Sequence, residues 1–282
     1  MDKNSIDRKK LKYNFLKKII IRFDYDGMDD TELDQVISSI SMELKKHDYT
    51  SRTVETEKEM QFEFNDPESG DYAELYGKKI REQKVFVFHN ENPQIKLSIS
   101  SSCACISIEE TKYVDCLKHC DVLWKVMSII ISEPEQVPFF IFKRFGLRKI
   151  NQCFLRDINR LNEYFEPSHY HVFRIQGEDN IKEKVMQIRD SLEIANLIRT
   201  LVRGELRGEE AYQVNYDADM YLIDSQSIKE LMENKEKIMQ MNDWLFELYK
   251  DAVTETFLNQ LIDGSFDKDM IIGVEANGED TV

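Results

Sequence analysis

The sequence predicts an α+β protein of antiparallel sheets with packed helices, and three observations carry that reading. Several runs alternate apolar and polar residues with a period of two, as Ile95, Leu97 and Ile99 do against Lys96, Ser98 and Ser100. Other stretches repeat apolar residues at helical spacing, as in Leu33, Val36, Ile37, Ile40 and Leu44. The order strand, shortish helix, several antiparallel strands, long helix occurs twice, over residues 15 to 131 and 138 to 263. No residue-level repeat accompanies it, so duplication of the two halves is an open hypothesis.

Residues 1–14 are polar and read as a flexible basic arm. Phe15 to Phe23 reads as a strand. The Asp24–Asp30 stretch marks a turn, and Asp30 or Thr31 caps a helix from Glu32 to about Lys46. Met60, Phe62 and Phe64 alternate as a half-buried strand, and Asn65 to Tyr76 is a loop built on Pro67 and Gly70. Lys84–His89, Ile95–Ile99 and Ala104–Ile108 form an antiparallel meander. A helix from Glu110 or Thr111 to about Ile131 follows.

The stretch Val137–Leu155 reads as a long central strand with Gly146 at its middle, bent or bulged there. A short helix, Arg156–Phe165, and a strand, His169–Gln176, come next. Residues 181–204 fit both a helix (Val185, Ile188, Leu192) and a strand (Ile198, Thr200, Val202). Gln213–Leu222 alternates cleanly, Ser225 or Ser227 caps a long helical stretch to about Asp251, and Thr254 starts another that ends near Gly264. The organisation is thus a basic arm (1–14), an N-terminal α+β half (15–135), a C-terminal α+β half (136–264) and an acidic tail (265–282).

The 282 residues suffice for one large or two modest domains. Apolar residues make up 41% and charged residues 32%, as in an ordered soluble protein. A net charge of −15 argues against a general polyanion binder, whose affinity depends on phosphate neutralisation. A local basic patch still allows nucleic-acid binding: Met1–Arg22 holds eight basic residues against Asp2 and Asp7. The apolar run Ile19–Ile21 is too short for a secretory core, and nothing approaches a membrane span. Five cysteines, an odd number, suit a reducing, cytoplasmic setting.

The segment Arg144-Phe145-Gly146-Leu147-Arg148-Lys149-Ile150-Asn151 resembles the signature strand of an uncharacterised, sporadically distributed bacterial family, near R-x-G-L-R-Y-I-N, with Lys149 in the place of the aromatic. Tyr221–Asp224, the helix around Trp244-Leu245-Phe246, and Val253-Thr254 resemble its later elements. The resemblance favours the strand reading of Ile198–Gly204. It implies no established activity, carries over no catalytic residue, and places such proteins among the cargo of mobile and defence-linked regions.

Candidate chemistry is sparse, and no phosphate loop, dinucleotide fingerprint or nucleophile elbow is present. Cys103, Cys105, Cys116 and Cys120, with His119 between the latter two, are the best metal candidates, although neither pair is C-x2-C and free cysteines are common in cores. His169 and His171 share one face of the expected strand, where solvent exposure explains them as well as acid/base work. Asp217 and Asp219 share a strand face with Asp224 beyond, a set that can hold Mg²⁺. Asp24, Asp26, Asp29 and Asp30 lack calcium-loop spacing and read as turn and cap residues.

Arg144, Arg148, Lys149 and Asn151 are the binding candidates, with Arg156, Arg160, Arg199, Arg203 and Arg207 as possible neighbours. The plain alternative is pairing with the chain's 53 carboxylates. Arg148 is expected to be partly buried and paired, with Asp224 as partner. The functional reading is a non-catalytic binding protein with a protein partner and no cofactor, in a bacterial defence, toxin-neutralising or mobile-element system. The alternative is a metal-dependent nucleic-acid-processing enzyme using Asp217 and Asp219.

Overall fold

In a computed structural model of the protein, period-two alternation produces long strands. The structure describes residues 3, 6–64, 75–109, 116–132, 135, 137–170, 184–192 and 194–276. In chain order the elements are β1 (Tyr13–Asn14), β2 (Leu16–Asp26), α1 (Asp30–Lys45), β3 (Tyr49–Phe64), β4 (Leu75–Asn90), β5 (Ile95–Ser100), β6 (Cys103–Ile108), α2 (Cys116–Ser132) and β7 (Ile141–Leu155). They continue with α3 (Leu161–Tyr164), α4 (Pro167–Tyr170), β8 (Lys184–Ser191), β9 (Ala195–Leu206), β10 (Glu209–Leu222), α5 (Ser225–Glu233), α6 (Lys235–Ala252), α7 (Glu255–Asp263), β11 (Ile271–Ile272) and β12 (Glu275–Ala276). The pairings β3–β4, β4–β5, β7–β10, β9–β10 and β8–β9 are antiparallel, so the fold is α+β with helices packed on antiparallel sheet. No described helix is long and apolar enough to cross a membrane.

The chain divides into two compact units: Arg22–Ile106 with Asp121–Lys143, and Met1–Ile21 with Ser107–Cys120 and Arg144–Val282. In the first, neighbouring strands run β3-β4-β5-β6-β2. Leu97, Ile99, Ala104 and Ile106 are buried on one face, while Lys96 and Cys105 on the alternate positions are not. Helix α1 begins at a reciprocal capping box: the Asp29 carboxylate accepts from the Thr31 and Glu32 N–H groups, and Glu32 accepts from the Asp29 N–H. Its apolar stripe, Leu33, Val36, Ile37, Ile40 and Leu44, is buried as the spacing predicts. The Phe23 ring packs on Trp124 of α2 and on Phe142.

In the other unit the order is β7-β10-β9-β8, with β11 also on β7. The core gathers Phe15, Phe165, Tyr170, Tyr249, Phe257 and Leu258, with the Phe15 ring against Phe165, Tyr249 and Phe257. The flexible arm expected over residues 1–14 is corrected for its described part. Ile6 and Leu11 are 3% and 6% exposed in this core, and apolar burial of that kind holds the segment down whatever the charge around it. In the stretch read as an acidic tail, Phe266 and Ile271 are buried, and β12 pairs with β1. Residues 277–282 of that tail lie outside the described residues.

Three element expectations change. Residues 184–191 and 195–206 are strands, which removes the helix reading of 181–204 where the structure describes it. His169 sits on the helical turn α4, begun by Pro167, and not on a strand. The long helix expected from 225 to 251 is two helices. Asn234 breaks it, leaving helical backbone and capping α6 through the Glu236 N–H. Thr254 and Gly264 cap α7 as expected.

The turn after β2 requires glycine. Gly27 has φ +82°, and a Cβ there would lie 1.8 Å from the Phe139 carbonyl oxygen. Gly27→Ala is expected to cost at least ~2 kcal/mol, combining backbone strain with a backbone clash, and a urea melt of the purified variant measures it.

Candidate functional site

Two adjacent strands position the residues of interest. The β7–β10 register runs unbroken from Tyr212 opposite Leu155 to Leu222 opposite Phe145. No bulge occurs at Gly146, so parity holds along the strand. Arg144, Gly146, Arg148 and Ile150 share one face, while Leu147, Lys149, Asn151 and Cys153 share the other. The four binding candidates therefore divide between opposite sides of the sheet and do not form one site.

On the first side the guanidinium groups and carboxylates form a diagonal ladder. Arg148 stands opposite Asp219 but reaches the next carboxylate along, donating from Nε and Nη2 to the two Asp217 oxygens at 2.7 and 2.5 Å. Arg144 donates to Asp219 Oδ2 at 2.5 Å, and its guanidinium stacks 5.3 Å from the Tyr221 ring centre. A Cβ on Gly146 would fall 2.6 Å from Arg144 Nη1, so this glycine is the slot over which Arg144 crosses the strand. Hydrogen bonding to Asp217 holds the Arg148 guanidinium above its ordinary pKa. Burial pushes the Asp219 carboxyl up, and Arg144 and Arg148 offset this only in part.

The expected Arg148–Asp224 pair is corrected. Asp224 lies just past β10 and caps α5, accepting the Ser227 N–H at 2.6 Å. Asp217 and Asp219 each hold a guanidinium where the metal reading needs a cation, and among the described residues no cluster of three or more His, Cys, Asp or Glu is arranged for a metal.

The other arginines do not converge on this ladder. Arg156 pairs with Glu209, Arg203 with Glu210, and Arg160 with Glu163 and Asp267. Arg199 is buried, pairs with Asp190 and donates to the His169 carbonyl at 3.0 Å. Arg207 occupies the β9–β10 turn at φ +57°. The basic N-terminal stretch is not an unbroken positive patch: Lys3, Arg8, Lys17 and Lys18 meet Glu166, Asp243, Glu275 and Glu109. Asp24 pairs with Arg22, Asp26 with Lys143, and Asp29 caps α1, whose first residue is Asp30. Burial lowers the pKa of His169, and His171 lies outside the described residues. Cys103 and Cys105 belong to one compact unit, and buried Cys116 and Cys120 to the other.

On the opposite side Lys149 and Asn151 face α6. Lys149 Nζ donates to Asn242 Oδ1, and Asn151 Nδ2 donates to the Tyr216 carbonyl at 3.3 Å. Beside them Arg8 pairs with Asp243 at 2.5 Å. Burial lowers the Lys149 pKa to about 8, against the raising influence of Cys116 and Asp243. Asn242 is only 3% exposed. Sequence reasoning missed it, although a signal exists: it interrupts the apolar stripe Ile238, Met241, Leu245, Tyr249 of α6.

Neither a family model nor a curated protein matches the chain. Among solved structures, the di-domain ARO/CYC StfQ from the steffimycin biosynthetic pathway aligns with 86% of this chain and 97% of its own, at 7% identity and a TM-score of 0.20. A likeness at that level carries no argument about fold or function.

Arg148→Ala is expected to cost ~1–2 kcal/mol, between the values for exposed and buried pairs, because Arg148 is 38% exposed and Asp217 only 13%. Chemical denaturation measures it. Lys149→Met is expected to raise the melting temperature at pH 7. The folded-state pKa of Lys149 lies below its unfolded value, so the native chain's stability rises as pH climbs from about 8 toward the ordinary lysine value. The Met variant loses that rise, which melts across this pH range read directly.

Proposed function

We propose that the chain is a non-catalytic binding protein that docks a protein partner through the end of the sheet where the β8–β9 turn meets the last residues of β10, beside the arginine–aspartate ladder. The observation that supports this is an exposed apolar cluster next to the ladder. Ile223 is 70% exposed, and Leu192 and Ile194 are each 38% exposed. The Ile194 carbonyl accepts the Tyr221 N–H at 2.8 Å, so the β8–β9 turn and the end of β10 lie together. Tyr221, stacked by Arg144, adjoins them. Apolar and aromatic groups beside a stacked arginine match the composition of interface centres. The setting, a bacterial defence, toxin-neutralising or mobile-element system, rests on the resemblance of Arg144–Asn151 to the family signature.

Affinity purification of the full chain from its native host is expected to return one protein at fixed stoichiometry. Ile223→Asp should lose that partner at least tenfold, whereas Met42→Asp, at an exposed position of the other unit, should keep it. A partner retained equally by both variants overturns this docking surface.

A further inference from the structure

A cavity of ≈ 60 Å³ lies against the inner face of β7 and β10, within the unit that contains both chain ends. It takes several water-sized groups, since one water needs about 10–15 Å³. Leu16, Ala218 and Leu245 give it apolar walls, and Lys149, Arg8 and Tyr249 contribute polar groups. The hydrogen bond from Lys149 to the neutral Asn242 amide uses one of the three ammonium donors. Arg8, by contrast, is matched by Asp243. Tyr249 is 6% exposed, and its hydroxyl has no hydrogen-bond partner among the described residues. A buried hydroxyl without a partner, and a half-buried ammonium held by one neutral acceptor, leave an adjoining apolar space able to take a further polar group. The walls call for a short hydrocarbon chain, and Lys149, with no carboxylate in contact among the described residues, calls for one negative charge.

We propose that this cavity binds a short-chain aliphatic carboxylate, with its carboxylate on Lys149 Nζ and its chain between Leu16, Ala218 and Leu245. The site is separate from the ladder, which lies on the opposite face of the same strands. The charged and titratable groups around Lys149 are Arg8, Asp243 and the Cys116 thiol, and burial lowers the ammonium to about 8.

The test is calorimetric titration of the full chain with butyrate, with butanol as the uncharged control of equal length, from pH 7 to pH 9.5. Butyrate stays ionised throughout. Butyrate is expected to bind at least tenfold tighter than butanol, with affinity falling ~tenfold per pH unit above about 8 as Lys149 loses its proton. Lys149→Met should abolish the preference for butyrate over butanol. Ala218→Val, which fills the cavity without touching a charge, should weaken binding at least tenfold. Equal binding of butyrate and butanol to the native chain, or butyrate affinity constant across the pH range, overturns the proposal without reference to either variant.

Discussion

Side-chain direction in β7 and β10 depends on one backbone fact, the uninterrupted register between them. A strand places alternate residues on opposite faces, so a slip of one position would turn Leu147 and Cys153 outward and drive Arg144 and Arg148 beneath α6. Both faces hold this register at once. Buried Phe145, Leu147 and Cys153 fix it from one side, and the diagonal bonds from Arg144 to Asp219 and from Arg148 to Asp217 fix it from the other. Gly146 allows the two requirements to coexist. A Cβ there would fall 2.6 Å from Arg144 Nη1, so Arg144 would have to shift from its path across the strand.

Much of the fold was legible because local and tertiary demands agree. The alternation in Gln213–Leu222, the stripe of α1 and the cap at Thr254 all read the same way in sequence and structure, whereas the cap of α1 falls on Asp29 and not on Asp30 or Thr31. Residues 181–204 were ambiguous because Ile198 and Val202, four apart, satisfy both periods. The strand prevails because Ala195, Leu197 and Leu201 occupy the buried face and leave Ile198 and Val202 on the half-buried one. The N-terminal segment misled because charge dominates its composition, while two apolar residues, Ile6 and Leu11, decide its position.

The candidate sites were less legible, for a geometric reason. Spacing along a strand shows which residues share a face, but not which neighbour each reaches. Arg148 bypasses the carboxylate directly opposite and takes the diagonal one, and no sequence pattern encodes that choice. Lys149 belongs to the same stretch as the two arginines, yet its partner, Asn242, comes from α6, about ninety residues later. Lys149 places an ammonium on the α6 side of the sheet. Asn242, placed inside an apolar stripe, receives it.

Sequence separation within the unit that holds both chain ends has a consequence for synthesis. Phe15 packs on Phe257, and Tyr13 of β1 pairs with Ala276 of β12. The contacts that bury the first strand therefore do not exist until the ribosome has delivered almost the last described residue. The other unit, Arg22–Ile106 with Asp121–Lys143, is complete by the chain's midpoint. Vectorial synthesis thus imposes an order: one unit can close early, while Ile6, Leu11 and Phe15 wait exposed, held only by local structure. Lysines and arginines are threaded through that waiting segment, Lys9, Lys10 and Lys12 among them, and charge beside apolar residues disfavours aggregation of an exposed stretch.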